Sequence, residues 1–396
     1  MTNKLIQAIG MGVAATTAGA FAGDFSTDIT PPTSGGGGGG DWCETLQDIG
    51  TIYKNKENPW IQEIKFFGRA HQQWGYVDGD VAGDNFSGDG DELRRLRFGM
   101  SVEFLNGFKA VGRANFSQGG FRDTSIGYSD WDQLTLEYDF GDVGAIEDLT
   151  VGYGRYKVGF GGEESSSSKK IKTIERSNLN NVYAGDRATG AVIQFETGDV
   201  DYTLGVFSTN GTDGSAPVIG EWNAGIAYMI SSEFKGLGGD VLLQGLYNDS
   251  TAAEDTVFRY EWAVSATHET EVGPFDLFTN LTYGEDHAGD AVYGVVIMPS
   301  IELIEDKLEA VVRYQYMKGN GNASFKGTKR YLERVANADG VQDPEGDENH
   351  TIYAGLNYFI CDHNLKLMTG IEYETVDGGT ADSESTTLWG AVRFYF

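Results

Sequence analysis

Proline is scarce in this chain, with 7 in 396 residues, and base is scarcer than acid, with 29 Lys and Arg against 59 Asp and Glu. A formal charge of −30 argues against a nucleic-acid partner, because phosphate binding needs basic surface. Histidine is rare, at 5, and no G-x-S-x-G occurs, so a Ser-His-carboxylate hydrolase lacks its parts. No run of about twenty apolar residues follows the N-terminus, which excludes a transmembrane helix. Only 2 cysteines are present, yet glycine reaches 56 and aromatics 12%. Low hydropathy with many Tyr, Phe and Trp suits alternating strands whose apolar side faces something large.

The N-terminus reads as an address. Lys4 is the only charge before Asp24, an apolar run follows it, and Ala20-Phe21-Ala22 forms an A-x-A cleavage signal. Residues 1–22 are therefore expected to be a signal peptide. Residues 23–40, rich in Gly, have little to bury and should form a flexible tether. Residues 41–58 are expected to hold a periplasmic amphipathic helix, with Trp42, Leu46, Ile49 and Tyr53 on one face.

From Trp60 the period changes to two and stays there. Leu96, Phe98, Met100, Val102 and Phe104 oppose Arg95, Arg97, Ser101 and Glu103, and similar segments continue to Phe396. Sixteen segments are counted, an even number as bacterial outer-membrane barrels require. Short connections such as Leu105–Gly107 and Cys361–Asn364 alternate with long polar ones at 78–92, 157–187 and 318–350. That sorting by parity marks the periplasmic and external ends of a barrel. Aromatics gather near segment ends, as interfacial girdles do. The expected fold is all-β: a transmembrane antiparallel barrel over 59–396, with 157–187 folded inward as a constriction loop.

One string then brings a family into view. Gly154-Arg155-Tyr156-Lys157, Glu163-Glu164, a Ser cluster, Ile174-Glu175-Arg176-Ser177 and Asp186-Arg187 resemble the pore-loop string of the phosphate-selective porin O/P family. Arg94-Arg95-Leu96-Arg97-Phe98-Gly99 resembles its arginine-rich early strand. Gly355-Leu356-Asn357-Tyr358 with Asn364-Leu365-Lys366-Leu367 resembles its penultimate hairpin. The resemblance implies a sixteen-stranded, trimeric outer-membrane channel for small anions or general solutes. Gly161-Gly162 departs from the family's frequent proline turn, and its phosphate-binding lysines find no assigned counterpart.

Charge placement gives the candidate site. With odd positions inward, Lys65, Arg69, Arg95, Arg97, Lys109 and Arg113 share one wall, and closure brings Arg393 beside them. The loop contributes Arg155, Lys157, Glu163, Glu164, Lys169, Lys170, Lys172, Glu175 and Arg176, with Glu163 and Glu164 expected to face the arginines. Such facing walls of charge set ion selectivity. Asp78, Asp80, Asp89 and Asp91 are expected in one external loop, where clustered carboxylates can chelate Ca²⁺. Cys43 and Cys361 both fall on the periplasmic side of the barrel, so a disulfide between them is expected. A competing reading keeps the barrel but makes it a structural or adhesive envelope protein, its residues 23–58 gripping the cell wall or a periplasmic partner.

Overall fold

A computed structural model describes residues 42–117, 125–183, 187–209, 220, 222, 225–250, 258–321, 324–327, 340–341, 345–379 and 382–396. The expected signal peptide and tether lie outside the described residues. The elements run α1 (Trp42–Asp48), β1 (Thr51–Lys54), β2 (Ile61–Val81), β3 (Asp84–Phe104), β4 (Phe108–Ser117), β5 (Ile126–Val143) and β6 (Ile146–Lys157). Two short helices follow, α2 (Gly162–Ser165) and α3 (Asn178–Tyr183). The wall resumes with β7 (Arg187–Thr197), β8 (Val200–Ser208), β9 (Ile226–Gly236), β10 (Gly239–Asn248), β11 (Trp262–Val272), β12 (Phe275–Glu285), β13 (Ala291–Ile304) and β14 (Leu308–Gly319). A two-residue pair, β15 (Phe325–Lys326) and β16 (Glu345–Gly346), precedes β17 (Glu348–Cys361), β18 (Leu365–Asp377) and β19 (Ser383–Tyr395).

Strands β2–β14 and β17–β19 each pair antiparallel with their neighbours, and β19 pairs with β2 from Ser383↔Val81 to Tyr395↔Arg69. The wall is thereby a closed barrel of sixteen strands, which removes every open edge. No helix among the described residues is long and apolar enough to cross a membrane; this wall crosses with strands. Outward positions carry exposed apolar side chains such as Ile230, Val264, Leu281, Ile352 and Leu388. Aromatics bracket them. Tyr228–Tyr247, Trp262–Tyr283 and Tyr283–Tyr293 lie toward the long connections. Phe104–Phe108, Phe108–Tyr138 and Phe195–Tyr202 lie toward the short turns. An apolar band between two aromatic rings is the lipid-facing pattern of an outer-membrane barrel.

Two departures from the sequence reading matter. First, residues 78–92 are no loop. β2 and β3 are 21 residues each, roughly twice the 9–11 that span a bilayer. They meet in a two-residue turn at Ala82 and Gly83, both at positive φ (55° and 94°), the backbone of a type I′ hairpin. Ala-Gly lacks the Asn-Gly signature that marks such a turn in a sequence. Second, the N-terminal helix is short, ending at Asp48. Tyr53 belongs instead to β1, which pairs with β2 at Thr51↔Lys65 and Lys54↔Glu63. β19 covers β2 down to Gly68, whose N–H and C=O both bond Phe396; below that point Gly50 and β1 take over the edge. Cys43 and Cys361, for which the sequence led to a disulfide, are joined, with Cα atoms 5.2 Å apart at a sequence separation of 318. The bridge fastens α1 to the β17–β18 turn, just under the seam where β19 meets β2.

Candidate functional site: the constriction

After β6 the chain leaves the wall, and residues 158–183 cross the lumen. Its first contact is β10, where Gln244 Oε1 accepts from the Gly161 N–H at 2.7 Å and Gln244 Nε2 donates to Ser165 Oγ at 3.0 Å. Gly162 then passes so close to β11 and β12 that a Cβ there would stand 2.5 Å from Thr267 Oγ1. The loop next runs low along β12–β19. Lys172 Nζ reaches Ser300 Oγ at 2.6 Å, Glu309 at 3.0 Å and Asp276 at 3.1 Å. Lys366 Nζ donates to the Ile171 carbonyl at 2.9 Å, and Lys169 lies 4.7 Å from the Tyr395 ring centre. On the return, Leu179 fills the space left by Gly294, where a Cβ would meet its Cδ1 at 2.8 Å. Tyr183 donates to the Val292 carbonyl and stacks on Tyr260 at 4.5 Å. Val158, Phe160, Ile174, Leu179 and Tyr183 are all buried. The loop is therefore a packed plug against β10–β14, fixed by an apolar core inside an otherwise polar lumen.

Its carboxylates do not go where sequence alone suggested. Glu163 Oε1 meets Arg313 Nη1 of β14 at 3.1 Å, and its other oxygen accepts from the Ser177 N–H at 3.0 Å. Glu164 pairs with Lys157 at 2.6 Å and Arg176 at 3.2 Å. Burial alone would raise the Glu164 pKa, but Arg176 and Lys157 outweigh it and hold it at about 2. Both residues thus brace the loop and its far seat. The carboxylate that faces the early strands is Glu175, which accepts from Arg94 Nε at 2.7 Å and Gln73 Nε2 at 2.8 Å.

Lys65, Arg69, Arg95, Arg97, Lys109, Arg113 and Arg393 all sit on the wall's inner side. Arg69 donates to Ser168 Oγ at 2.6 Å, tying the loop to β2. Lys109 lies low, opposite Glu103 and Glu137 in the ladders. Arg155 Nε caps the Trp131 carbonyl at 2.7 Å. Two lumen charges were hidden by β-bulges, which insert an extra residue and shift parity. Between β2 and β3 the pairing jumps from His71↔Arg95 to Gln72↔Leu93, so Arg94 is added to the inner face beside Arg95. Between β4 and β5 it jumps from Arg113↔Gln133 to Ala114↔Trp131, which turns Asp132 inward beside Gln133. Adjacent charges such as Arg94-Arg95, which break strict alternation, were the available sequence signal.

One row of this wall stands out. Arg393, His71 and Arg95 are neighbours across β19, β2 and β3. Arg393 Nη1 lies 3.2 Å from His71 Nδ1. Arginine only donates, so Nδ1 accepts and the imidazole proton is on Nε2. His71 Nε2, Arg95 Nη1 and Arg393 Nε are buried without an acceptor among the described protein atoms.

The calcium expectation needs correction. Asp78 and Asp80 lie outward on β2, opposite Ser87 and Asn85; Asp89 and Asp91 lie on β3, opposite Tyr76 and Trp74. An extended ladder keeps the four apart, and no group of three His, Cys, Asp or Glu gathers for a metal among the described residues.

A closed sixteen-stranded barrel with an inward loop and a charged lumen is an outer-membrane channel. The chain belongs to the phosphate-selective porin O and P family, whose sequence model matches residues 65–271. The family's proteins are channels, and the site is in the bacterial outer membrane. Among solved structures it is similar to the outer membrane channel DcaP of Acinetobacter baumannii, at 14% identity and a TM-score of 0.54, covering 87% of this chain and 99% of that one. OmpT of Vibrio cholerae aligns at 11% identity and 0.51, covering 87% and 100%. An anion-selective porin from Comamonas acidovorans aligns at 14% and 0.52, covering 84% and 99%. No curated protein sequence matches.

Proposed function

We propose that the barrel passes small hydrophilic solutes with a preference for anions, set by the arginine and lysine wall that faces the carboxylate-bearing loop. The row of His71, Arg95 and Arg393 carries this reading. Their side chains are only 1%, 7% and 1% exposed, yet each keeps a donor without an acceptor. Burial leaves the charge of the two guanidinium groups little screened by salt, so it biases the field of the lumen toward a passing carboxylate or phosphate. Lys65, Arg69, Arg97, Lys109 and Arg113 extend the positive surface downward. Of the tall hairpin's acids, Asp78, Asp80, Asp89 and Asp91 point outward, while Glu92 turns inward and accepts from Gln73 Nε2 at 2.7 Å. The name of the family and that of the Comamonas porin support the same class of solute. A trimer form of OmpT supports a homotrimer.

The test is single-channel recording in a planar bilayer under a salt gradient. The reversal potential should lie on the anion side, and Arg95→Gln should move it toward zero. A cation-side value in the unmodified protein overturns the preference. Absence of conductance overturns the channel and favours the structural or adhesive envelope barrel.

A further inference from the structure

Asp132 is fully buried and occupies the bulge of β5, where the sheet offers it no ladder partner. Three guanidinium groups from three strands close on it. Arg113 Nε of β4 stands 2.5 Å away, Arg187 Nη2 of β7 2.6 Å and Arg97 Nη2 of β3 3.0 Å. Arg97 is oriented further by Asn115 Oδ1 at 2.6 Å, and Asn115 in turn bonds Asp130. Arg187 is also where the constriction loop rejoins the wall. Arg155 Nη1 holds its carbonyl at 3.3 Å. The one carboxylate therefore gathers the lower part of the arginine wall and the returning root of the loop.

We propose that Asp132 is the positioning residue that sets how strongly this channel selects. It cancels one charge of the Arg97–Arg113–Arg187 group and locks all three in place. Free positive charge is then concentrated one row higher, at Arg95 and Arg393, where Arg393 donates to the loop carbonyls of Ser168 and Ile174. The bulge is what makes this possible. A regular strand would turn Asp132 toward lipid and leave three like charges facing one another, which destabilises their arrangement. The proposal rests on the anion reading of the lumen, but it concerns how the selectivity changes rather than its sign.

Reversal potentials of four variants test it. Asp132→Asn uncovers one positive charge and should raise the anion-to-cation permeability ratio at least ~2-fold, the effect of one unit charge at about 10 Å through water. Asp132→Glu, which restores the carboxylate, should return the ratio toward that of the unmodified protein. Asp132→Asn with Arg113→Gln should do the same, because the lost negative and lost positive charges cancel. A structural lesion would not be repaired by removing a second group. Should Asp132→Asn fail to assemble, Arg113→Gln alone decides: it removes a charge from the group one row below Arg95, so it should lower the ratio less than Arg95→Gln does. An unchanged ratio in Asp132→Asn, no recovery in the double variant, or equal effects of Arg113→Gln and Arg95→Gln would each overturn the proposal. A cation-selective unmodified channel would instead sink the anion reading, leaving the relation among the variants to be judged separately.

Discussion

Acid should release the constriction loop from its seat, and Glu164 is the group that lets it go. Its carboxyl is held at about 2, below its ordinary 4.5, against burial and by Arg176 and Lys157. A depressed carboxyl contributes stability that is present above its unfolded pKa and lost as pH falls through the folded one. The window therefore runs from about 4.5 down to about 2. The difference of roughly two and a half pH units corresponds to about 3 kcal/mol. Losing it should raise the population of the undocked loop roughly 100-fold. Ile171→Cys provides a reporter, since Ile171 is buried within the loop's own low passage and the native cysteines are joined. Its labelling by a small methanethiosulfonate reagent should be slow at neutral pH. In the docked protein it should quicken as the loop equilibrium is weakened. Because the reagent itself reacts best near neutral pH, the cleaner comparison is Glu164→Gln at pH 7, which should label about 100-fold faster than the parent. Single-channel noise then supplies the acid arm: it should grow between pH 4.5 and 2 in the parent and stay flat in Glu164→Gln. Equal labelling at pH 7, or the same acid response in both proteins, would refute the assignment of Glu164 as the loop's latch.

Leu179→Ala should empty the hollow made by Gly294 and cost the loop on the order of 2–5 kcal/mol; the voltage at which channels close should fall, while heat-modifiable mobility of the barrel stays put. Alkylation of the denatured, unreduced protein should add no label at Cys43 or Cys361, and labelling of both should follow reductant. Replacing both with Ser should lower the temperature of the mobility shift. The chain-entropy contribution of so long a loop has an upper bound of about 5 kcal/mol, and an unchanged shift would show that the seam holds without it.

The wall was readable because lipid enforces a strict rule. Outward residues must be apolar, so a period of two persisted through nearly every strand and even the strand count could be taken from it. The same rule failed where lipid no longer acts. Above the membrane, β2 and β3 continue as a hairpin of Asp, Gly and Ser that composition alone presents as a loop. Inside the lumen the side chains answer to one another. Glu163, Glu164 and Glu175 are close in sequence, yet the fold sends the first to Arg313, the second to Lys157 and Arg176, and the third to Arg94. Nothing local distinguishes them. Their partners are separated by 150 residues in the case of Arg313 and 81 in the case of Arg94, so only closure of the barrel decides the pairing.

The bulges show how the barrel raises its charge density. A regular strand presents one side chain to the lumen for every two residues. On β9 to β12, and between β12 and β13, the ladders run without a register shift. The inward residues there include Ser231, Gln244, Ser265, Thr267, Asn280 and Thr282, a neutral seat on which the loop rests. Shifts are frequent on the opposite side, in the pairings of β2 with β3, β4 with β5, β5 with β6 and β6 with β7. Two of them supply Arg94 and Asp132, each next to another inward polar residue. The two sides therefore solve different problems. Regular pairing gives the loop a flat surface to pack on, and irregular pairing crowds arginines and their counter-charge onto the wall it faces. Deleting one residue at either bulge should turn Arg94 or Asp132 out of the lumen without disturbing the loop's seat.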